Sequence, residues 1–177
     1  MKRLATTIIV IVGLIGFAAL GTAEEPADDS DEQKKTEKAD ESPRMDVVFV
    51  VDATGSMQDE IDVIKKEVWN IANELMTGKP TPDIRFGLVL YRDKSDSKLI
   101  EATPLTRNVD KIHGKLMSAR AQGGGDNPEH VGKGLHTALD MDWGGGDVSK
   151  TIYLVGDAPA KEYGDHTLES AITTASQ

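Results

Sequence analysis

The chain has 177 residues and a formal net charge of −10, and it contains no cysteine. The length suits one domain together with a leader, and the acidic balance argues against a nucleic-acid partner. The lack of cysteine excludes disulfides, thiolate zinc sites and lipid attachment through an N-terminal cysteine. No two of the four histidines have the i, i+4 spacing of a helical zinc site.

Residues 1–23 have the pattern of a secretory leader. Lys2 and Arg3 form a basic start, residues 4–20 are an apolar run, and small residues at 21–23 form a cleavage site. The apolar run approaches the length of a membrane span, so an uncleaved N-terminal anchor is the alternative. Either way we expect the rest of the chain to be exported, to a secreted, periplasmic or extracellular location. It would contact a membrane only if the leader stays uncleaved.

Residues 24–44 form an acidic linker. Nine aspartates and glutamates are interleaved with three lysines there, and no large apolar residue occurs between Ala23 and Met45. Such a segment cannot bury enough apolar surface to offset the entropy lost on ordering, so we expect a disordered spacer. The folded domain is therefore predicted to cover residues 45–177.

From Met45 onward, strand patterns alternate with helical patterns. The predicted strands are residues 47–51, 84–91, 98–104 and 151–155. The predicted helices are one with apolar residues from Ile61 to Leu75, one capped by Asn108, one that begins near Asn127, and a last one that begins at Thr167. This order predicts an α/β fold, a Rossmann-like doubly wound, mostly parallel sheet. Residues 98–104 would form a short edge strand, a candidate for antiparallel pairing.

Acidic and hydroxyl residues follow the predicted strands. In a sheet of this kind ligands bind beyond the carboxyl ends of the strands. Asp52, Asp93 and Asp157 each come after a strand, and Asp126 and Glu129 lie on a glycine-rich loop that enters a helix. These separate segments are thus expected to meet at one edge of the sheet.

Thr54 and Ser56 alternate with Asp52 on the first turn from strand to helix. One carboxylate and two hydroxyls offer hard oxygens suited to Mg²⁺, Mn²⁺ or Ca²⁺. Structural alternatives remain open for each residue. Thr54 and Ser56 can cap the following helix, acidic residues in a first turn can complement a helix dipole, and Asp93 can be a turn residue.

With these residues in place, the chain over 45–177 resembles the von Willebrand factor type A (vWA) domain family. The segment 52–56 is similar to the family's metal-ion-dependent adhesion site (MIDAS) motif, Asp-x-Ser-x-Ser, with Thr54 at the first hydroxyl position. Asp157, in Gly-Asp-Ala, matches the later aspartate at the end of the fourth strand. The resemblance implies a vWA fold and a bound divalent cation, Mg²⁺ or else Mn²⁺ or Ca²⁺. It also implies a protein ligand that presents an acidic residue to the cation.

The motifs look closer still to those of integrin beta subunits. Met57 and Gln58 are followed by Asp59 and Glu60, which resemble the acids of a neighbouring second metal site. Residues 126–129 are similar to the family's Asp-x-Pro-Glu loop. The resemblance implies that Glu129 is a ligand of the central metal. It further implies that Asp126 and Asp93 hold a third ion.

One departure from the family concerns the length of the sheet. The family fold has six strands, whereas this sequence ends after the fourth strand and one helix. We therefore expect a vWA domain truncated after that helix. Its fourth strand would be an exposed apolar edge, open to self-association or to a partner.

These features predict an exported, metal-dependent, protein-binding module of the adhesion type, and not an enzyme. Ser56 lacks the Gly-x-Ser-x-Gly context of a nucleophile, and Asp52 lacks the second aspartate two positions on that an aspartyl phosphatase needs. Two alternatives stay open. One is a Mg²⁺-dependent hydrolase that uses Asp52 and Asp157, and the other is a truncated, non-functional vWA fragment.

Overall fold

The computed structural model describes residues 8–14, 42–93, 98–124, 130–157, 159–160 and 164–175. Its strands are β1 (Ile8–Leu14), β2 (Arg44–Asp52), β3 (Asp83–Tyr91), β4 (Ile100–Thr106) and β5 (Val148–Gly156). Its helices are α1 (Ile61–Met76), α2 (Val109–Ser118), α3 (Val131–Leu139) and α4 (Leu168–Ala175), with a short 3₁₀ helix at Gly55–Asp59. The predicted linker falls mostly outside the described residues, and β2 begins at its last residue, Arg44.

The strands form one sheet in the order β1-β5-β2-β3-β4. The three central strands, β5, β2 and β3, run parallel, whereas β4 pairs antiparallel with β3 at one edge. The mostly parallel α/β architecture and the antiparallel edge strand are thus confirmed. The edge strand lies at Ile100–Thr106, two residues beyond its predicted end, because an edge position tolerates Pro104 inside the strand.

Helices cover both faces of the sheet, so β2 and β3 are largely buried on each side, whereas β5 is mostly half-buried. Every residue of β2 from Val47 to Val51 is fully buried, as its continuous apolar run predicted. The helices α1 and α2 enclose a core around Phe49 and Phe86 on one face. The helices α3 and α4 enclose a second core around Val50 and Tyr91 on the other face. This arrangement leaves the carboxyl ends of the strands open for a site.

The cap predicted at Asn108 is confirmed, and the last helix begins one residue after its predicted start at Thr167. Asn108 precedes α2, and its side-chain oxygen accepts a hydrogen bond from the Lys111 backbone N–H at 3.0 Å. Thr167 precedes α4, and its hydroxyl accepts from the Ser170 N–H at 2.9 Å. The predicted cap at Asn127 lies outside the described residues.

The outer edge of β5 is covered by β1, so the expectation of a bare fourth strand was wrong for this structure. The two strands pair antiparallel over their whole length, from Ile8 opposite Gly156 to Leu14 opposite Lys150. Residues 8–14 are rich in Ile and Val, which favour a strand as readily as they favour an apolar leader. While residues 8–14 remain attached, β5 has β1 on one side and β2 on the other and offers no free edge for self-association. Cleavage of the predicted leader would remove β1. The assignment of residues 1–23 to a leader stays a prediction.

In the described ranges, no helix combines the length and the apolar character needed to cross a bilayer.

Candidate metal centre

The turn that follows β2 is held by backbone hydrogen bonds to two other segments. Ala53 N–H donates to the Tyr91 carbonyl at the end of β3, at 2.9 Å. The Ala53 carbonyl accepts from Gln122 N–H, and Gly55 N–H donates to the Gly123 carbonyl, both at 3.0 Å. The turn is therefore fixed between β3 and the segment 119–124, which we call the bracing loop.

Close approach and side-chain burial fix the turn further. A Cβ atom at Gly55 would lie 2.6 Å from the Gly123 carbonyl oxygen, and Gly123 itself has a φ of 75°. Both positions therefore favour glycine. Met57 is fully buried in the core beneath α1, which anchors the 3₁₀ helix. The sequence indicated a glycine-rich loop at 123–125, but nothing local in it revealed that this loop braces the turn.

Four side chains from two strand ends place their oxygen atoms in one continuous row. Asp52 Oδ1 accepts from both Thr54 N–H, at 2.9 Å, and Thr54 Oγ1–H, at 2.7 Å. Thr54 Oγ1 lies 3.1 Å from Ser56 Oγ, and Ser56 Oγ donates to Asp157 Oδ1 at 3.2 Å. We call Asp52, Thr54, Ser56 and Asp157 the oxygen row. The structure thus brings together the residues of the predicted central site that it describes.

The capping alternative does not apply to Thr54. This residue occupies the N-cap position of the 3₁₀ helix, yet its side chain makes no capping hydrogen bond. Its hydroxyl instead contacts Asp52 and Ser56. Because Thr54 is also fully buried, its oxygen is directed into the oxygen row rather than toward solvent.

The electrostatics of Asp52 fit a nearby cation. Asp52 is fully buried, and its Oδ2 atom has no hydrogen-bond partner in the described part of the chain. Burial raises the pKa of Asp52, and the negative charge of Asp157 raises it further. The Thr54 hydroxyl and N–H and the neighbouring Tyr91 side chain lower this pKa. An ionised carboxylate in this position is costly unless a positive charge lies beside it. A divalent cation would offset that cost.

The other predicted metal ligands have different outcomes. Asp59 is exposed at the end of the 3₁₀ helix, and Glu60 is half-buried with an Oε2 atom that accepts no hydrogen bond within the described ranges. No described hydrogen bond joins either side chain to the oxygen row. Asp93 is buried, 2% exposed, two residues after the end of β3. Asp126 and Glu129 lie outside the described residues, so the flanking sites stay predictions.

Among the described residues, carboxylate side chains alone do not form a metal site. Over the described residues, no group of three or more His, Asp or Glu side chains is placed to hold an ion. The oxygen row combines two carboxylates with two hydroxyls. This donor set is all oxygen, which suits Mg²⁺ or Ca²⁺ and does not suit soft metals.

Arg92 stabilises the surroundings of the site, a role that the sequence did not reveal. The side chain is 7% exposed, and Nη1 donates to Glu101 Oε1 at 2.8 Å and to the Lys98 carbonyl at 3.3 Å. Nη2 donates to the Arg120 carbonyl in the bracing loop at 3.2 Å. Arg92 therefore ties the end of β3 to β4 and to the bracing loop. The only signal in the sequence is a charged pair, Arg92 and Asp93, directly after an apolar strand.

Comparison with known proteins places the chain in a family. The model of the family described as von Willebrand factor A domain matches residues 46–177. Similar curated proteins include an alpha-protein kinase, vwkA, from Dictyostelium discoideum, 28% identical over 73% of this chain and 22% of its own length. The von Willebrand factor A domain-containing protein 7 of Rattus norvegicus is 33% identical over 56% of this chain and 11% of its own. Human hemicentin-1 is 29% identical over 66% of this chain and 2% of its own.

Among solved structures, the pilus adhesin SpaC from Lactobacillus rhamnosus GG is similar, with a TM-score of 0.46 and 24% identity. That match covers 55% of this chain and 12% of the adhesin. The chain thus spans about a fifth or less of the length of each of these proteins.

Proposed function

The chain belongs to the von Willebrand factor A domain family, whose members often mediate adhesion between proteins, and from this we propose that it is an exported, metal-dependent protein-binding module. The observation that supports the proposal best is the oxygen row. It joins Asp52, Thr54, Ser56 and Asp157, and it ends in a buried carboxylate oxygen without a hydrogen-bond partner. Export rests on the leader pattern of residues 1–23.

The oxygen row would hold Mg²⁺, or in its place Mn²⁺ or Ca²⁺. Thr54 and Ser56 would supply neutral hydroxyl oxygens, and Asp52 and Asp157 would balance part of the cation's charge. When bound, the cation would supply positive charge and an exchangeable coordination position for a carboxylate of the protein partner. Ser56 is exposed and Asp157 is half-buried, so a partner's side chain has access to this end of the row.

We propose binding rather than catalysis as the role of this site. The hydrogen-bond partners of Ser56 are Thr54 and Asp157, and neither is a base of the kind that activates a serine nucleophile. The kinase among the relatives is matched over only 22% of its length, and its activity is that of the whole kinase. Turnover of a generic phosphate ester, lost in Asp157→Asn, would contradict this part of the proposal.

A metal-dependent pull-down tests the proposed function. The whole chain would be immobilised and exposed to exported proteins in millimolar Mg²⁺ or in EDTA. We expect a partner that is captured in Mg²⁺ and lost in EDTA. Ser56→Ala should also lose the partner without unfolding the chain, because Ser56 is exposed and removal of its hydroxyl leaves no cavity in the core.

Ser149→Ala provides the matched control, since it removes an exposed hydroxyl from β5 far from the oxygen row along the strand. This variant should capture the partner as the wild-type chain does. Equal capture in EDTA and in Mg²⁺, or by Ser56→Ala and the wild-type chain, would contradict metal-dependent binding.

A further inference from the structure

A polar cavity of about 670 Å³ lies beside the metal centre. The end of β3, the strand β4, the end of α2 and the bracing loop form its walls. Four of its lining residues are basic, Arg92, Lys98, Lys115 and Arg120, and one is acidic, Glu101. We call this cavity the basic pocket. It is a local excess of positive charge on a chain whose net charge is −10.

The basic side chains of the pocket differ in whether they form a salt bridge. Arg92 is buried and forms a salt bridge with Glu101, with Nη1 and Oε1 2.8 Å apart. Lys98, Lys115 and Arg120 are exposed, and none of them has a carboxylate of the described residues within salt-bridge distance. Three cations therefore face a concave surface whose only described acidic residue already has a partner. Such a surface attracts anionic groups of a partner.

The basic pocket and the metal centre share the bracing loop. Arg120, Gln122 and Gly123 line the pocket, and the backbone of Gln122 and Gly123 also binds the turn that carries the oxygen row. A protein partner that binds at the metal centre therefore also lies close to the basic pocket. A chain segment with several acidic residues can place one carboxylate at the metal and others in the pocket.

We propose that the basic pocket binds an acidic segment of the protein partner, beside the carboxylate that the metal centre takes. This inference rests on the proposed function, and it specifies the chemistry of the partner. The pocket would raise the affinity and the association rate for acidic sequences. A single carboxylate on a neutral surface would bind less well.

Nucleic acid fits the same pocket less well than an acidic peptide. None of the described lining residues is aromatic, so bases would have no ring on which to stack. The net charge of −10 would also repel an extended phosphate backbone outside the pocket. A short oligonucleotide is therefore used as a competing probe.

The test measures binding of a fluorescent peptide of alternating Glu and Gly residues to the whole chain at low salt. The same peptide with Gln in place of Glu, and an oligothymidylate of equal length, serve as comparison probes. We expect the Glu peptide to bind most tightly in Mg²⁺. The double variant Lys115→Glu/Arg120→Glu should weaken its binding about tenfold, because it reverses two exposed charges that line the pocket.

The matched control is Lys66→Glu/Lys111→Glu, which changes the net charge equally at exposed positions that do not line the pocket. It should alter the affinity less than twofold, and melting curves should show that both double variants are folded. An equal effect of the two double variants on the affinity would overturn the proposal that the basic pocket binds an acidic segment. Tighter binding of the oligothymidylate than of the Glu peptide, or no binding of the Glu peptide to the wild-type chain, would overturn it too.

Metal removal separates this inference from the proposed function. If EDTA leaves the affinity unchanged while Lys115→Glu/Arg120→Glu still weakens binding, the proposal of metal-dependent binding is wrong and the proposal for the basic pocket is supported. If EDTA weakens binding while Lys115→Glu/Arg120→Glu behaves like its control, the proposal of metal-dependent binding is supported and the proposal for the basic pocket is wrong.

Discussion

The absence of a side chain at Gly55 allows the turn after β2 to lie against the bracing loop. A Cβ atom at this position would lie 2.6 Å from the backbone carbonyl oxygen of Gly123, a distance at which something must move. The atom it would meet is backbone of the bracing loop, which is held by its own hydrogen bonds to the turn. The turn and the loop therefore depend on each other.

We predict that Gly55→Ala lowers the free energy of unfolding by about 1–3 kcal/mol, because the turn and the bracing loop must separate. Gly145→Ala is the matched control, since a Cβ atom there would meet nothing within 4 Å. It should change stability by less than about 0.5 kcal/mol. Urea unfolding of both variants gives the comparison, and equal losses would show that the close approach at Gly55 is not required.

Two aspartate–arginine pairs lie at the opposite end of the sheet and differ in burial. Asp46 is 2% exposed and accepts two hydrogen bonds from Arg85, at 2.8 and 2.6 Å, and one from Gly144 N–H at 2.7 Å. Asp83 accepts two from Arg107, at 2.7 and 2.6 Å, near the surface. Burial acts to raise the pKa of Asp46, but its hydrogen bonds and the Arg85 charge outweigh burial and lower it.

We predict that Asp46→Ala costs about 3 kcal/mol of stability, because it leaves Arg85 Nε and the Gly144 N–H without their acceptor, while Arg85 Nη2 keeps only the Asp142 carbonyl. Asp83→Ala should cost much less, because exposed ion pairs are screened by solvent and add little to stability. The lowered pKa of Asp46 means that its contribution is complete above its ordinary pKa of 3.8 and is lost as the pH falls through the folded-state pKa. Urea unfolding at neutral pH that gives both variants the same loss would contradict this account.

At the scale of elements, two histidines join α3 to the start of α4. His136 Nε2 lies 2.8 Å from Ser170 Oγ, and the His136 ring meets the edge of the His166 ring with centroids 5.1 Å apart. Lys133 Nζ lies 3.2 Å from His166 Nε2. Burial lowers the pKa of His136, and His166 and Lys133 lower it further, while Asp140 acts in the opposite direction.

We predict that acidification weakens the packing of α3 against α4. Because the folded state lowers the pKa of His136 below its ordinary 6.5, the unfolded chain binds more protons once the pH falls below that value. Stability is therefore complete above pH 6.5 and decreases as the pH falls toward the folded-state pKa. Urea unfolding between pH 8 and pH 5 measures the slope. His136→Gln should reduce it, and an unchanged slope in that variant would assign the effect to other groups.

The sequence predicted elements well where a local pattern reports burial. The apolar run of β2 and the cap at Asn108 were both readable, because each depends on neighbouring residues alone. The strand β1 was not predicted, since an Ile- and Val-rich segment fits a leader as well as a strand. Its choice of β5 as a partner depends on an edge that exists only once the sheet has formed.

At the scale of the whole molecule, the topology explains why part of the site was predictable. Parallel strands bring their carboxyl ends to one edge, so Asp52 and Asp157 were expected together, and Ser56 now links them. The bracing by Gln122 and Gly123 was not predicted, because contacts between distant backbone segments leave no local pattern in the sequence.

The central claim is that the oxygen row binds a divalent cation in the folded protein. A ligand present at a hundred times its dissociation constant stabilises the folded state by about 2.7 kcal/mol, which for a domain of this size raises the melting temperature by roughly 8–10 °C. Asp52→Asn keeps the shape of the side chain and removes the buried negative charge, so it should melt at the same temperature with and without the cation.

The most direct measurement is therefore thermal unfolding of the whole chain in EDTA and in millimolar Mg²⁺ or Mn²⁺, for the wild-type protein and for Asp52→Asn. The account predicts a rise of several degrees with the cation in the wild-type protein and none in Asp52→Asn. Equal melting temperatures of the wild-type protein in EDTA and in both cations, or an equal rise in the variant, would contradict it.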